Sequence, residues 1–179
     1  MKLETRQKVA ASMADFRLPR YEEIPNVGLY LEQTAKYISE YLAPLGDYGL
    51  TNSMISNYVK KGLVANPVKK QYDREQIAYL FFIAVAKMVL SLDALDEFIQ
   101  LQKRTYSLDV AYDFFCRQFE GLLKFSFELT DTMEISDPEH SWETERLGAR
   151  RLLYSCIVAV TQKIYLEKSL EAIAAESKE

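Results

Sequence analysis

The sequence has only one histidine, His140, and only two cysteines, Cys116 and Cys156. A zinc site or a Ser-His-Asp triad would have to rest on His140 alone, within "ISDPEHSW", so most hydrolase and metalloenzyme classes drop out. The pattern there is that of a surface-loop histidine. Each cysteine lies inside an apolar, helix-patterned segment, where cysteine behaves as a small buried hydrophobe, and two isolated ones give no metal-ligand spacing. No glycine-rich phosphate loop occurs either, so neither an enzyme nor a cofactor is expected. Long apolar runs are also missing. The longest, "IAYLFFIAVA" from Ile77 to Ala86, stops at Lys87. A bilayer span needs about 20 such residues, so this run predicts a buried core helix and no membrane partner. The opening "MKLETRQKVAASMADFR" has no apolar stretch of the secretory kind, and the expected compartment is the cytoplasm.

What is present is ordinary globular material: 49% hydrophobic and 27% charged among 179 residues, enough for one large domain or two small ones sharing a core. The net charge of −4 gives no general attraction to nucleic acid, but its distribution is uneven. From Thr51 to Tyr72 every charged residue is a lysine: Lys60, Lys61, Lys69 and Lys70. Acidic residues gather elsewhere, at Glu22–Glu23, around Asp93–Glu97 and from Asp131 to Glu145. Screening confines each charge to roughly 8 Å at physiological salt, so a basic island on an acidic chain is informative.

Residues 1–17 read as an arm, either a frayed helix or a disordered segment. "LPRYEEIPNVGLY" follows as an extended lead-in, with Pro19, Pro25 and Gly28. Leu31, Ala35, Ile38, Leu42 and Leu45 then repeat at 4-3-4-3 spacing and mark one helix face. After Pro44 and "GDYG", Thr51 or Asn52 can cap a second helix that turns Met54 or Ile55, Tyr58 and Val59 inward and stops at Gly62. Asp73 and Gln76 form a capping-box variant for a third helix, buried through Ile77, Leu80, Phe81, Ala84 and Met88. A fourth helix starts at Leu92, with Leu95 and Ile99 inward. Beyond it lie an aromatic-rich helix over 107–129, an acidic connection and a long helix from about Glu143 to Ala175, together an αα-hairpin. The aromatic side chains Tyr106, Tyr112, Phe114, Phe115, Phe119, Phe125 and Phe127 can line an effector pocket, although core packing explains them more simply. The only β-pattern is a small one at residues 63–72, and there is no internal repeat.

The segment from Leu50 to Leu80 combines a short polar helix, a glycine stop and a lysine-rich turn. A three-turn helix fits the major groove, where Thr51, Asn52, Ser53, Ser56 and Asn57 would supply polar groups to base edges. Lys60, Lys61, Lys69 and Lys70 would neutralise phosphates. With "MISNYVKKGL", Pro67, "KKQY", "DREQIAYLFFI" and "LSLDAL", the stretch Leu50 to Ile99 resembles the DNA-binding domain of MerR-type bacterial transcription regulators. Tyr58, Gly62, Leu63, Tyr72, Leu80, Ile83, Ser91 and Leu92 coincide with that family in kind and order. Ser56 stands where the family has its phosphate-binding arginine, Asn57 where it has a tyrosine, and Lys69 where its wing has another tyrosine. Lys70 keeps the charge of the family's wing arginine. Together with the lead-in, the N-terminal half also resembles a bacterial family of uncharacterised proteins held to be regulators on this MerR-like basis.

The resemblance implies an all-α protein: a MerR-like winged helix-turn-helix with a small wing over 18–103, followed by a C-terminal helical hairpin over 104–179. The implied function is a transcription regulator binding double-stranded DNA as a homodimer, with Tyr58 and Tyr72 joining the groups named above at the DNA and with any small-molecule effector unidentified. The second apolar set of the last helix, Leu152, Val158, Tyr165 and Leu166, is expected to form the dimer contact. The alternative is a protein–protein adaptor that uses the same scaffold without DNA.

Overall fold

The computed structural model describes residues 1–132 and 144–177. Seven α-helices are found there: α1 (Leu3–Ala11), α2 (Leu31–Leu42), α3 (Asn52–Lys60), α4 (Arg74–Ala86), α5 (Leu92–Thr105), α6 (Leu108–Ser126) and α7 (Thr144–Glu176). Two short strands, β1 (Leu29–Tyr30) and β2 (Gln71–Tyr72), pair antiparallel with Leu29 opposite Tyr72 and Tyr30 opposite Gln71. The described residues are therefore all-α apart from this ribbon.

Local signals set the helix ends. The Thr51 hydroxyl accepts from Met54 N at 3.2 Å, and Ser91 caps α5 by accepting from Ala94 N at 3.2 Å. Asp73 and Gln76 satisfy each other's backbone N–H groups at 2.9 and 2.8 Å, a reciprocal capping box. At the end of α3, Leu63 N reaches Tyr58 O and Gly62 N reaches Val59 O, both at 3.0 Å. This paired closure requires the left-handed backbone of Gly62, whose φ is 79°.

The apolar run becomes α4, and Ile77, Ala78, Leu80, Phe81, Ile83, Ala84 and Ala86 in it are fully buried. A helix that is apolar all round must be covered all round, and α2, α6 and α7 supply the cover. One continuous core extends from Met13 to Ile164.

That continuity changes one expectation. The N-terminal segment is not a loose arm: α1 packs on α7, Met13 and Phe16 are buried, and the Phe16 and Phe119 rings meet edge-to-face at 5.8 Å. The lead-in is likewise docked. Arg20 makes a two-pronged ion pair with Glu120 at 2.7 and 2.6 Å, Leu18 N donates to the same carboxylate at 2.8 Å, and Tyr21 N donates to Asp113 at 2.7 Å. Residues on either side of 103 share the same core. α5 runs through that boundary, and α7 packs on α1, α4, α5 and α6.

The second apolar set of α7 divides. Val158 and Tyr165 pack against the chain's own core, Tyr165 meeting the Phe127 ring at 5.3 Å. Leu152 and Leu166 stay exposed, at 53% and 57%. Among the described residues, no helix is long and apolar enough to cross a membrane. His140 and most of the acidic connection lie outside the described residues.

Candidate nucleic-acid interface

α2 and α3 form the first part of the surface, joined by a turn built for close approach. A Cβ on Gly49 would lie 2.7 Å from Ser39 Oγ, and that hydroxyl accepts from Leu50 N at 3.3 Å. α3 then buries Ile55 and Tyr58 and leaves Thr51, Asn52, Ser53, Ser56, Asn57, Lys60 and Lys61 exposed. Of the two inward candidates, Ile55 takes the core position and Met54 stays outside at 38% exposure. Lys87 braces the start of α3. Its ammonium donates to the Gly49 carbonyl at 3.0 Å and lies 3.8 Å from Met54 Sδ, and desolvation there pulls its pKa down.

The second part is a hairpin tip. Val68 and Gln71 exchange both backbone hydrogen bonds, at 3.1 and 2.9 Å, so Lys69 and Lys70 are the two central residues of the turn. Both have left-handed backbones, with φ of 50° and 66°. Positive φ at both positions is the type I′ geometry that suits strand twist and normally recruits Asn-Gly. A side chain held there costs about 1 kcal/mol or more per residue. Two lysines at such a place are a costly choice for stability alone. Lys60, Lys61, Lys69 and Lys70 are all exposed, and none forms an ion pair among the described residues.

Three contacts mount this hairpin on the core. Gln76 Nε2 donates to Ala65 O at 2.9 Å, which ties the stretch after α3 to the first turn of α4. Gly28 approaches the return strand so closely that a Cβ would sit 2.7 Å from Gln71 Cβ. Arg74 donates to Ile24 O at 2.9 Å and pairs with Glu22, holding the lead-in beside β2.

Tyr58 and Tyr72 do not belong to the surface. They are 5% and 4% exposed, and burial pushes both phenol pKa values up. Their rings anchor α3 and β2 in the core, and neither is offered to a partner. Sequence reasoning missed Lys87, Gln76 and Arg74 as positioning groups. The capping box did single out Gln76, but its second bond, to Ala65, depends on the tertiary path.

A comparison with protein families matches residues 19–115 to a domain of unknown function, DUF1836. The chain belongs to the DUF1836 family. The matched part of this DUF1836 chain takes in the docked lead-in, α2, α3, the hairpin, α4 and α5, and ends within α6. Neither the curated proteins nor the solved structures gave a match. Among the described residues of the DUF1836 chain, no cluster of three His, Cys, Asp or Glu is placed to hold a metal.

Proposed function

We propose that α2, α3 and the hairpin act as a MerR-like winged helix-turn-helix that binds double-stranded DNA, making the protein a transcription regulator and not an enzyme. The observation that carries this reading is the Lys69–Lys70 turn. Two exposed cations occupy left-handed positions where Asn-Gly would be more stable, and the preceding helix, α3, ends in two more exposed lysines. Phosphate neutralisation gives such a placement a purpose, since released counterions supply most of the affinity of DNA-binding surfaces. Asn52, Ser53, Ser56 and Asn57 are the exposed polar groups of α3 suited to base edges. The absence of the family's arginine and tyrosine at Ser56 and Asn57 means that base and phosphate contacts on α3 differ from those of MerR-type proteins. More of the phosphate grip then falls on the lysines.

We also propose a two-fold dimer through the exposed face of α7, where Leu152, Leu166 and Leu170 are 53%, 57% and 55% exposed. A dimer would present two reading helices to successive turns of the duplex.

The test is fluorescence anisotropy on a selected site and a scrambled one at several salt concentrations. Asn57→Ala should reduce discrimination between the two by about 1–3 kcal/mol if Asn57 makes a bidentate base contact. Lys70→Ala should weaken both equally and lower the salt slope by about one unit. Feeble, equal binding by the wild type and both variants would overturn the DNA reading in favour of an adaptor.

A further inference from the structure

From Gln76 to Ala86, α4 is buried at every position but two, Tyr79 and Phe82. Three residues apart, they share one face of the helix. Both line a cavity of about 550 Å³ walled by α4, α5, α6 and α7, a size within the range of small-molecule sites. The cover of α4 thus has one gap, and aromatic surface fills it. Phe98 of α5 and Phe115 of α6 also line the cavity, their ring centroids 5.4 and 5.5 Å from that of Phe82. Rings from three helices therefore meet at one wall that the chain's own packing leaves half-covered.

The polar groups around this wall are engaged elsewhere. The Gln102 side chain accepts from Tyr79 Oη at 2.9 Å and donates to Tyr106 O at 2.8 Å. Thr105 Oγ1 donates to Leu101 O at 2.9 Å, while Thr105 O accepts from Arg146 Nε at 3.0 Å. Arg104 pairs with Glu145 at 3.6 Å. Lys103 lies over the Tyr79 ring at 5.5 Å and Arg150 over the Phe114 ring at 5.3 Å. Arg117 is exposed to water, where pairing with an anion gains little. Tyr112 Oη is the one buried hydroxyl of the lining without a hydrogen-bond partner among the described residues. The wall can therefore offer a ligand at most one neutral hydrogen bond. A charged ligand would have to shed its water and would find these cations already in contact with their own neighbours.

We infer that this cavity binds an uncharged small molecule with a flat body of fused or linked aromatic rings. The rings of the ligand cover Tyr79, Phe82 and Phe98 and complete the packing of α4. Apolar burial and ring contacts supply the affinity, with no call on a counter-charge.

The test uses the folded full chain and no DNA, so its failure leaves the regulator reading untouched. The chain is titrated with N-phenyl-1-naphthylamine and with 8-anilinonaphthalene-1-sulfonate, the same skeleton carrying a negative charge, and dye fluorescence is followed. The neutral amine should saturate at one site per chain and bind at least about tenfold more tightly than the sulfonate, which must be desolvated to enter. Its affinity should be the same or slightly tighter at high salt, since no charge is there to be screened. Ala111 lies in the lining and is half-buried, so Ala111→Phe fills the cavity from α6 without removing a contact. That variant should weaken the amine by at least about tenfold while far-ultraviolet circular dichroism stays unchanged. Should it fail to fold, the milder Ala111→Leu must still weaken binding, and unsubstituted naphthalene must displace the amine from the wild type. Non-saturating binding, a sulfonate that binds as tightly as the amine, or an affinity indifferent to filling at Ala111 would overturn the assignment.

Discussion

Gln76 is bonded at both ends of its amide: Oε1 accepts from Asp73 N at 2.8 Å and Nε2 donates to Ala65 O at 2.9 Å. One 5%-exposed side chain thus closes the α4 cap and fixes the root of the lysine hairpin. Gln76→Leu keeps the bulk and removes both bonds, leaving the Ala65 carbonyl and the Asp73 N–H in search of partners. The expected cost is about 1–3 kcal/mol in urea unfolding. Amide hydrogen exchange should rise in residues 63–72 well before it rises in α6.

The hairpin tip separates stability from function. Lys69→Asn with Lys70→Gly installs the pair that a type I′ turn prefers, so the double variant should be more stable by about 1–2 kcal/mol. Its DNA affinity should fall, with the salt slope lower by about two units because two phosphate partners are gone. A variant that gains stability and keeps full affinity would show that the turn lysines do not touch DNA.

Glu120 answers for the docking of the lead-in. It is 11% exposed and accepts from both terminal guanidinium nitrogens of Arg20 as well as from Leu18 N. Glu120→Ala strands a half-buried guanidinium and a backbone donor, and should cost about 2–4 kcal/mol in urea unfolding. Limited proteolysis should then cut first near residues 17–24. A loss below half a kcal/mol would mean that apolar contacts alone hold the segment.

The two thiols report on the core. Burial pushes the Cys116 thiol up to about 12 and the Cys156 thiol up to about 11. An exposed thiol ionises near pH 8.5, so at pH 8 both should resist iodoacetamide in the folded protein and react in urea. The folded state holds these protons more tightly than the unfolded one, so their contribution is fully present below about pH 8.5 and is lost as pH rises toward the folded values. Cys116→Ser with Cys156→Ser should flatten that alkaline decline in stability.

Much of the architecture was legible because its causes are local. The cap at Thr51, the Asp73–Gln76 box, the stop at Gly62 and the all-round burial of α4 each follow from side chains within one or two turns. β1 was not legible. Two residues carry no periodicity, and Leu29–Tyr30 is a strand only because Gly28 lets Gln71 come close. The candidate surface was read in part. Polarity along α3 correctly separated Asn52, Ser53, Ser56 and Asn57 from Ile55, but aromatic character could not tell a groove contact from a core anchor, and Tyr58 and Tyr72 proved to be anchors. Val158 and Tyr165 looked surplus on α7 because the chain that covers them is distant in sequence. The cavity of about 550 Å³ between α4, α5, α6 and α7 was hidden for the same reason, with Lys103 and Arg104 of its lining on α5, Arg117 on α6 and Arg146 and Arg150 on α7.

α4 gives the hairpin and the cavity a common mount. Gln76 holds the hairpin root, and Ala78 and Tyr79, within the next turn, form part of the cavity wall. Both belong to one helix of 13 residues, about 20 Å long, packed against α2, α6 and α7. Such a rod has little freedom to bend or to roll in place. A displacement imposed at Tyr79 must therefore be carried as rigid-body motion to residues 63–72, or be resisted by the whole core.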